Sequence, residues 1–422
     1  MKYEGNIAVA PAEDRLASRL RESMLWILAF FVFSLPLVEA PKNLAAVLFI
    51  LTWVAYAVRT REFGGRWNRY DTVFLAILAS GVASGLAGYA GDVSGMFRVF
   101  LLGWVISRAP LSTRADRVLP AAACIGVLIA IAMAAVPFLR GTKGFLELPS
   151  VGHVNQSALY IAILTACAFG WWLQGAQSGQ GGRMRTGMGI SATVCCLALL
   201  AGGSRAAAGA VALAAVLMAV AILGSGHSPV RRKLLGRAAV TVAILAVLVA
   251  ALGAWAPGLS DRKLTAKGLM RTDSTETRIK HWHLAVEGWR EKPWLGWGPE
   301  AFQRIKIDDV CRWRAARGEG CDRSLYLQQV HAHSVYAGTL AERGIVGALT
   351  LAALLAVWAW SLLASVRTAS TSWLWTASAA SFFIVAVAGT FNTTLRVEHG
   401  SLALVFFGLW IAAHARRQPA VR

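Results

Sequence analysis

Apolar residues run through this chain in blocks long enough to cross a lipid bilayer. Taking roughly 17–25 mostly apolar residues as one helical crossing, spans fall near 24–39, 43–58, 71–89, 94–107, 118–138, 154–174, 187–203, 206–224, 238–256, 335–364, 372–391 and 400–414. The fourth is interrupted by Arg98, and the seventh and eighth lie close together. The pattern breaks once at length, over 257–334, where charges of both signs mix with tryptophan. The expectation is an all-α integral membrane protein of about 12 transmembrane helices. Its parts are a segment 1–23, helices 1–9 within 24–256, a long, partly helical loop 257–334, helices 10–12 within 335–414 and a tail 415–422.

The loop is too aromatic for a disordered linker, with Trp282, Trp289, Trp294, Trp297, Phe302 and Trp313 set among charges. Residues 276–291 place Ile279, Trp282, Ala285, Val286 and Trp289 at helical spacing. That predicts an amphipathic helix that lies on the bilayer or roofs the bundle. Pro293 and Gly296-Trp297-Gly298-Pro299 stop it. No internal repeat of the transporter kind is visible. Residues 1–23 are polar, and the run opening at Met24 carries no small-residue cleavage site, so no cleavable signal peptide is expected.

Length alone, 422 residues, admits two or three soluble domains, but 56% hydrophobic and 15% charged residues exclude them. The net charge of +20 is not gathered into one basic arm, which argues against nucleic acid as a partner. It falls instead in short clusters: Arg59, Arg61, Arg66 and Arg69; Arg108, Arg114 and Arg117; Arg183 and Arg185; Arg231, Arg232, Lys233 and Arg237; Arg416 and Arg417. With twelve spans all of these share one side, and the opposite short loops carry only Lys42, Arg140, Lys143 and Arg396. The positive-inside rule then puts both termini in the cytoplasm and the loop 257–334 outside, in the periplasm of a Gram-negative cell. Cys124, Cys167, Cys195 and Cys196 fall in apolar runs, whereas Cys311 and Cys321 lie in the loop. In an oxidising compartment those two form a disulfide or remain two thiols.

Three polar residues stand out as candidates for chemistry. His333 opens the run His333-Ser334-Val335-Tyr336 at the mouth of a span, where imidazole can take a proton near neutral pH. An interfacial histidine bonded to backbone is the plainer alternative, and His331 shares the position. Arg205, in Gly202-Gly203-Ser204-Arg205-Ala206, lies between two apolar runs. An arginine at that depth either faces a polar cavity or snorkels to the interface. Arg278 begins the amphipathic helix, where helix-start N–H groups favour anions, although a solvated helix charge is equally simple. Guanidinium forks match phosphate oxygens. The pairs His281/His283 and His331/His333, with Cys311, Cys321 and Asp322, are zinc-ligand types at no closed zinc spacing. No phosphate-binding glycine loop or dinucleotide fingerprint occurs, so neither metal nor nucleotide cofactor is implied.

In combination these pieces resemble the bacterial O-antigen ligase and O-antigen polymerase superfamily, over roughly the last two-thirds of the chain. One match is the histidine start followed by an aromatic, Leu, Glu-x-Gly and a second Gly, here His333, Ser334, Tyr336, Leu340, Glu342, Gly344 and Gly347. A second is Ser204-Arg205 at the end of a span. A third is Arg278 and Trp282 followed by Pro293, Gly296, Gly298 and Phe302. The fourth is the layout of about twelve spans with one long loop before the histidine helix. The resemblance implies an O-antigen ligase in the bacterial inner membrane with its active site facing the periplasm. It would transfer a glycan, with inversion, from an undecaprenyl-pyrophosphate-linked donor to a sugar hydroxyl of lipid A–core, without metal or ATP. By the same resemblance Arg205 and Arg278 hold the donor pyrophosphate and stabilise its growing charge. His333 is the general base on the acceptor hydroxyl. Asn155, in Gly152-His153-Val154-Asn155-Gln156-Ser157, contacts the donor or caps its helix. Asn392 and Arg396 in the last outer loop are further candidates for substrate binding.

The nearest rival is the polymerase, whose acceptor is another lipid-linked repeat unit. A protein O-oligosaccharyltransferase is the next, though such chains extend further beyond the last span. From another class, a polysaccharide-lipid flippase or transporter shares the hydropathy profile but is expected to bury charge within several spans, and this chain keeps most of its charge in loops.

Overall fold

The computed structural model describes residues 14–91, 93–178, 182–202, 204, 207–213, 215–216, 273–369 and 372–415. All regular structure among the described residues is helical. In chain order the helices are α1 (Arg15–Ser34), α2 (Glu39–Thr60), α3 (Arg69–Ala87), α4 (Val93–Arg108), α5 (Ala115–Leu139), α6 (Val154–Ser178), α7 (Gly182–Gly202), α8 (Asp273–Glu291), α9 (Ile307–Ala316), α10 (Val335–Ala369), α11 (Trp373–Ala386) and α12 (Val397–Ala415). Seven stretches are long and apolar enough to cross a membrane: α2, α3, α5, α6 to Ala176, α7, α10 to Val366, and Trp373–Thr390. Twelve such crossings are therefore not demonstrated among the described residues. Of the expected spans, 206–224 is described only in part, and 238–256 lies outside the described residues altogether.

The first expected span, 24–39, needs correction. Its helix starts nine residues earlier, at Arg15, where the Asp14 side chain accepts from the Leu16 N–H as an N-cap. It ends at Ser34, just ahead of Pro36, and α2 begins afresh at Glu39.

Helices α1, α2 and α5 pack together, α6 pairs with α7 and α11, and α12 lies along α4. The centre is aromatic: Trp358 of α10 stacks on Phe407 of α12 with centroids 4.3 Å apart. Trp358 also donates its indole N–H to the Ser378 hydroxyl at 3.0 Å, so the buried donor is satisfied. Buried ion pairs fasten two corners. Arg108 grips Asp71 through Nε and Nη2, at 2.7 and 2.5 Å. Lys42 bonds Glu398 and donates to Ser150 Oγ at 2.7 Å.

The polar stretch before α10 forms a small folded unit with its own core of Leu284, Ala285, Phe302, Ile305, Val310 and Tyr326, which meets Ala341 of α10. Cys311 and Cys321 are joined in a disulfide. Glu287 is buried between Arg314 and Arg317, at 2.7 and 2.6 Å, which compensates its desolvation. Helix α8 covers the expected 276–291, but its buried face differs from the expected one. His281, Leu284, Ala285, Glu287 and Gly288 turn inward, and Ile279 and Val286 remain 40% exposed.

This unit grips α10 at a break. Gly344, at φ 62° and ψ −160°, interrupts the helix in a conformation essentially confined to glycine. An α-helix broken at membrane depth needs new partners for the freed backbone groups. The strap 293–298 supplies them. The N–H groups of Trp297 and Gly298 donate to the carbonyls of Ala341 and Glu342 at 3.0 and 2.8 Å. In return the N–H groups of Ile345 and Val346 donate to the carbonyls of Pro293 and Trp294, at 2.8 and 3.2 Å. A side chain at Gly296 would put Cβ 2.4 Å from the Glu342 carbonyl carbon, so the strap passes only because glycine stands there.

Candidate functional site

The segment 331–333 carries two histidines into two different surroundings. His333 precedes α10 with φ 49°, a left-handed conformation uncommon for a residue with a side chain. Its ring lies 5.3 Å from that of His281 on α8. The His281 Nδ1 sits 2.8 Å from the Leu327 carbonyl, which can only accept, so the proton is on Nδ1 and Nε2 is left as an acceptor. Burial, then the neighbouring His281 and Arg278, pull the His333 pKa down to about 4, with His331 and His153 adding to the effect. His333 is therefore neutral at pH 7. The guanidinium of Arg278 lies 5.9 Å from the Phe391 ring centroid, and Trp282 packs on that same ring at 5.8 Å.

His331 turns the other way. Arg396 Nη1 donates to its Nδ1 at 2.9 Å while the other arm of the guanidinium bonds Glu300. Both line a cavity of about 180 Å³ together with Arg98, Glu342, Arg343 and Gln156. His331 thus has a setting of its own on this wall.

Of the residues singled out from the sequence, His333 and Arg278 come together, and Arg396 reaches the adjoining cavity. Asn155 is the second residue of α6, and the ring of His153 accepts from its backbone N–H at 3.3 Å, so the helix is capped by His153 and not by Asn155. The next residue, Gln156, is the one on the cavity wall. Asn392 is buried and donates to the Ala388 carbonyl at 3.3 Å, a local backbone contact. Arg205 lies outside the described residues. The paired-histidine zinc reading gains no ligand set: Cys311 and Cys321 are spent on the disulfide, and among the described residues no three His, Cys, Asp or Glu side chains gather at one point.

Sequence reasoning passed over Arg98, Glu300 and Arg343 as chemistry. Arg98 had a usable signal, a lone arginine interrupting an apolar run. Arg343 sits beside Glu342 within the span itself, and such a residue is a functional candidate by default.

No curated protein matches the chain. Residues 190–352, from within α7 through α8, the strap, His333 and the break in α10, match the family model described as O-antigen ligase. That segment is thus similar to the O-antigen ligase family, and the seven long apolar helices suit a multi-pass membrane protein.

Proposed function

We propose that the chain is an O-antigen ligase, a metal-independent inverting glycosyltransferase. It joins a glycan carried on undecaprenyl pyrophosphate to a sugar hydroxyl of lipid A–core. The observation that carries this reading is His333, its ring 5.3 Å from that of His281 and neutral at pH 7 under the influence of the Arg278 charge, at the junction of the polar unit and α10. A neutral imidazole next to a guanidinium suits a reaction that removes a proton from one partner and develops negative charge on the other. His333 takes the proton of the acceptor hydroxyl as its oxygen attacks the anomeric carbon. The bond from that carbon to the pyrophosphate oxygen breaks on the opposite face, and the electron pair leaves with the lipid pyrophosphate. Arg278 stabilises that leaving charge. Arg205 is assigned to the same task by its place in the Ser-Arg motif. The donor is already activated, so the reaction needs no ATP and is expected to survive EDTA.

The test is to incubate purified protein with a lipid-linked glycan and lipid A–core and look for the joined product on a gel. His333→Ala is expected to lower transfer by about 100- to 10,000-fold, the usual worth of general-base help, with expression and donor binding kept. A product made from the donor alone, longer lipid-linked glycan, would establish the polymerase instead. Unchanged transfer by His333→Ala would remove the base assignment.

A further inference from the structure

The cavity beside His331 has a charge balance that the proposed transfer does not use. Three guanidiniums reach it from three separate elements: Arg98 of α4, Arg343 of α10 and Arg396 before α12. Two carboxylates also line it, Glu300 and Glu342, and Glu300 is engaged by Arg396. Arg343 is only 8% exposed, and its hydrogen bonds run to the Thr339 hydroxyl at 3.1 Å and the Met96 sulfur at 3.6 Å, neither of them charged. Arg98 likewise bonds a neutral partner, Asn43 Oδ1 at 2.8 Å. Glu342 acts on Arg343 and Glu39 on Arg98 at longer range, but neither carboxylate bonds its guanidinium directly. The direct hydrogen bonds of Arg98 and Arg343 go to neutral atoms, and an anion entering the cavity would replace them with charge-assisted bonds.

We propose that this cavity binds a phosphate group of a glycolipid substrate, at a site separate from the face of His333 and Arg278. Its volume, about 180 Å³, far exceeds the share of roughly 30 Å³ that one water occupies. Thr339, Thr393 and Gln156 add hydroxyl and amide donors around the guanidiniums, a set suited to the several acceptor oxygens of a phosphate. His331 on its wall is two residues from His333, so a phosphate held here anchors a lipid whose sugar lies near the base. The inference rests on the proposed transfer for the kind of lipid. Phosphate occurs on both candidate substrates, and the experiment separates them.

Binding to the full chain in nanodiscs is measured for three lipids: lipid A–core, the same lipid after phosphatase treatment, and undecaprenyl pyrophosphate. Arg98→Gln and Arg343→Gln are each expected to weaken one phosphorylated lipid by about tenfold or more, the worth of a charged hydrogen bond. Binding of the phosphatase-treated lipid should not change. Loss confined to lipid A–core assigns the site to the acceptor, and loss confined to undecaprenyl pyrophosphate assigns it to the donor. Arg343→Lys should keep part of the affinity, because it retains the charge without the fork. Wild-type binding of all three lipids by both glutamine variants overturns the proposal, as does equal loss for the phosphatase-treated lipid. If Arg343→Gln fails to fold, Arg98→Gln decides alone, its residue being exposed. Binding needs no turnover, so a protein that binds as expected yet transfers nothing would refute the ligase reading and leave the site standing.

Discussion

At the scale of single residues, the surroundings of His333 set an expectation for pH. Burial and the charges of its neighbours hold its pKa at about 4 in the substrate-free protein. A base of that strength accepts a proton poorly, but a bound pyrophosphate would place negative charge nearby and raise the pKa again. The acid limb of kcat/KM reports the free enzyme and that of kcat the substrate complex. The limb in kcat/KM is accordingly expected well below the ordinary histidine value of 6.5, and the limb in kcat above it in position. Arg278→Gln removes a cation and should move the kcat/KM limb upward. A kcat/KM limb at or above 6.5 in the wild type would show that another group titrates. The partnership of His333 with Arg278 was legible because both stand in recognisable sequence runs. The cavity was not, because Arg98, His331, Arg343 and Arg396 are scattered along the chain and only folding brings them to one wall.

At the scale of elements, the Gly-x-Gly of the strap and the Gly of the histidine helix turn out to be two halves of one contact. The sequence showed glycines in two runs, but their common reason is a tertiary pairing of backbone with backbone, which no local pattern encodes. Gly344→Ala forces a side chain into a glycine-only conformation, at a cost of about 1–3 kcal/mol, and drives Cβ to 2.4 Å from the Trp294 carbonyl. Gly296→Ala collides with the α10 backbone at Glu342 and Arg343, the other side of the same contact. Both variants are expected to unfold at lower temperature than Gly144→Ala, where an added methyl meets nothing within 4 Å. Melting temperatures in detergent that match across the three would mean the strap does not hold the break. Helix α8 teaches a related point: its position was readable from periodicity, its buried face was not. Ion pairing lets Glu287 go inside and a backbone carbonyl satisfies His281, so polarity alone misassigned the face.

At the scale of the whole molecule, everything proposed for the site depends on which side of the membrane the unit of α8, α9 and the strap occupies. The arginine clusters argue that it lies outside, opposite the loops near 59–69, 108–117 and 183–185. The disulfide between Cys311 and Cys321 is independent support, since such bonds persist in oxidising compartments and not in the cytosol. The lipid-linked donor and lipid A–core are also expected to meet on that side. A reporter active only in the periplasm is therefore expected to work when inserted within 300–320 and to stay silent when fused at residue 180 or 235. Thiol labelling of intact cells offers a second reading: Cys311 and Cys321 should resist a membrane-impermeant reagent until a reductant is added. Reporter activity at 180 with silence at 310 would place His333, Arg278 and the cavity in the cytoplasm. No transfer to lipid A–core at the outer face could then be assigned to them.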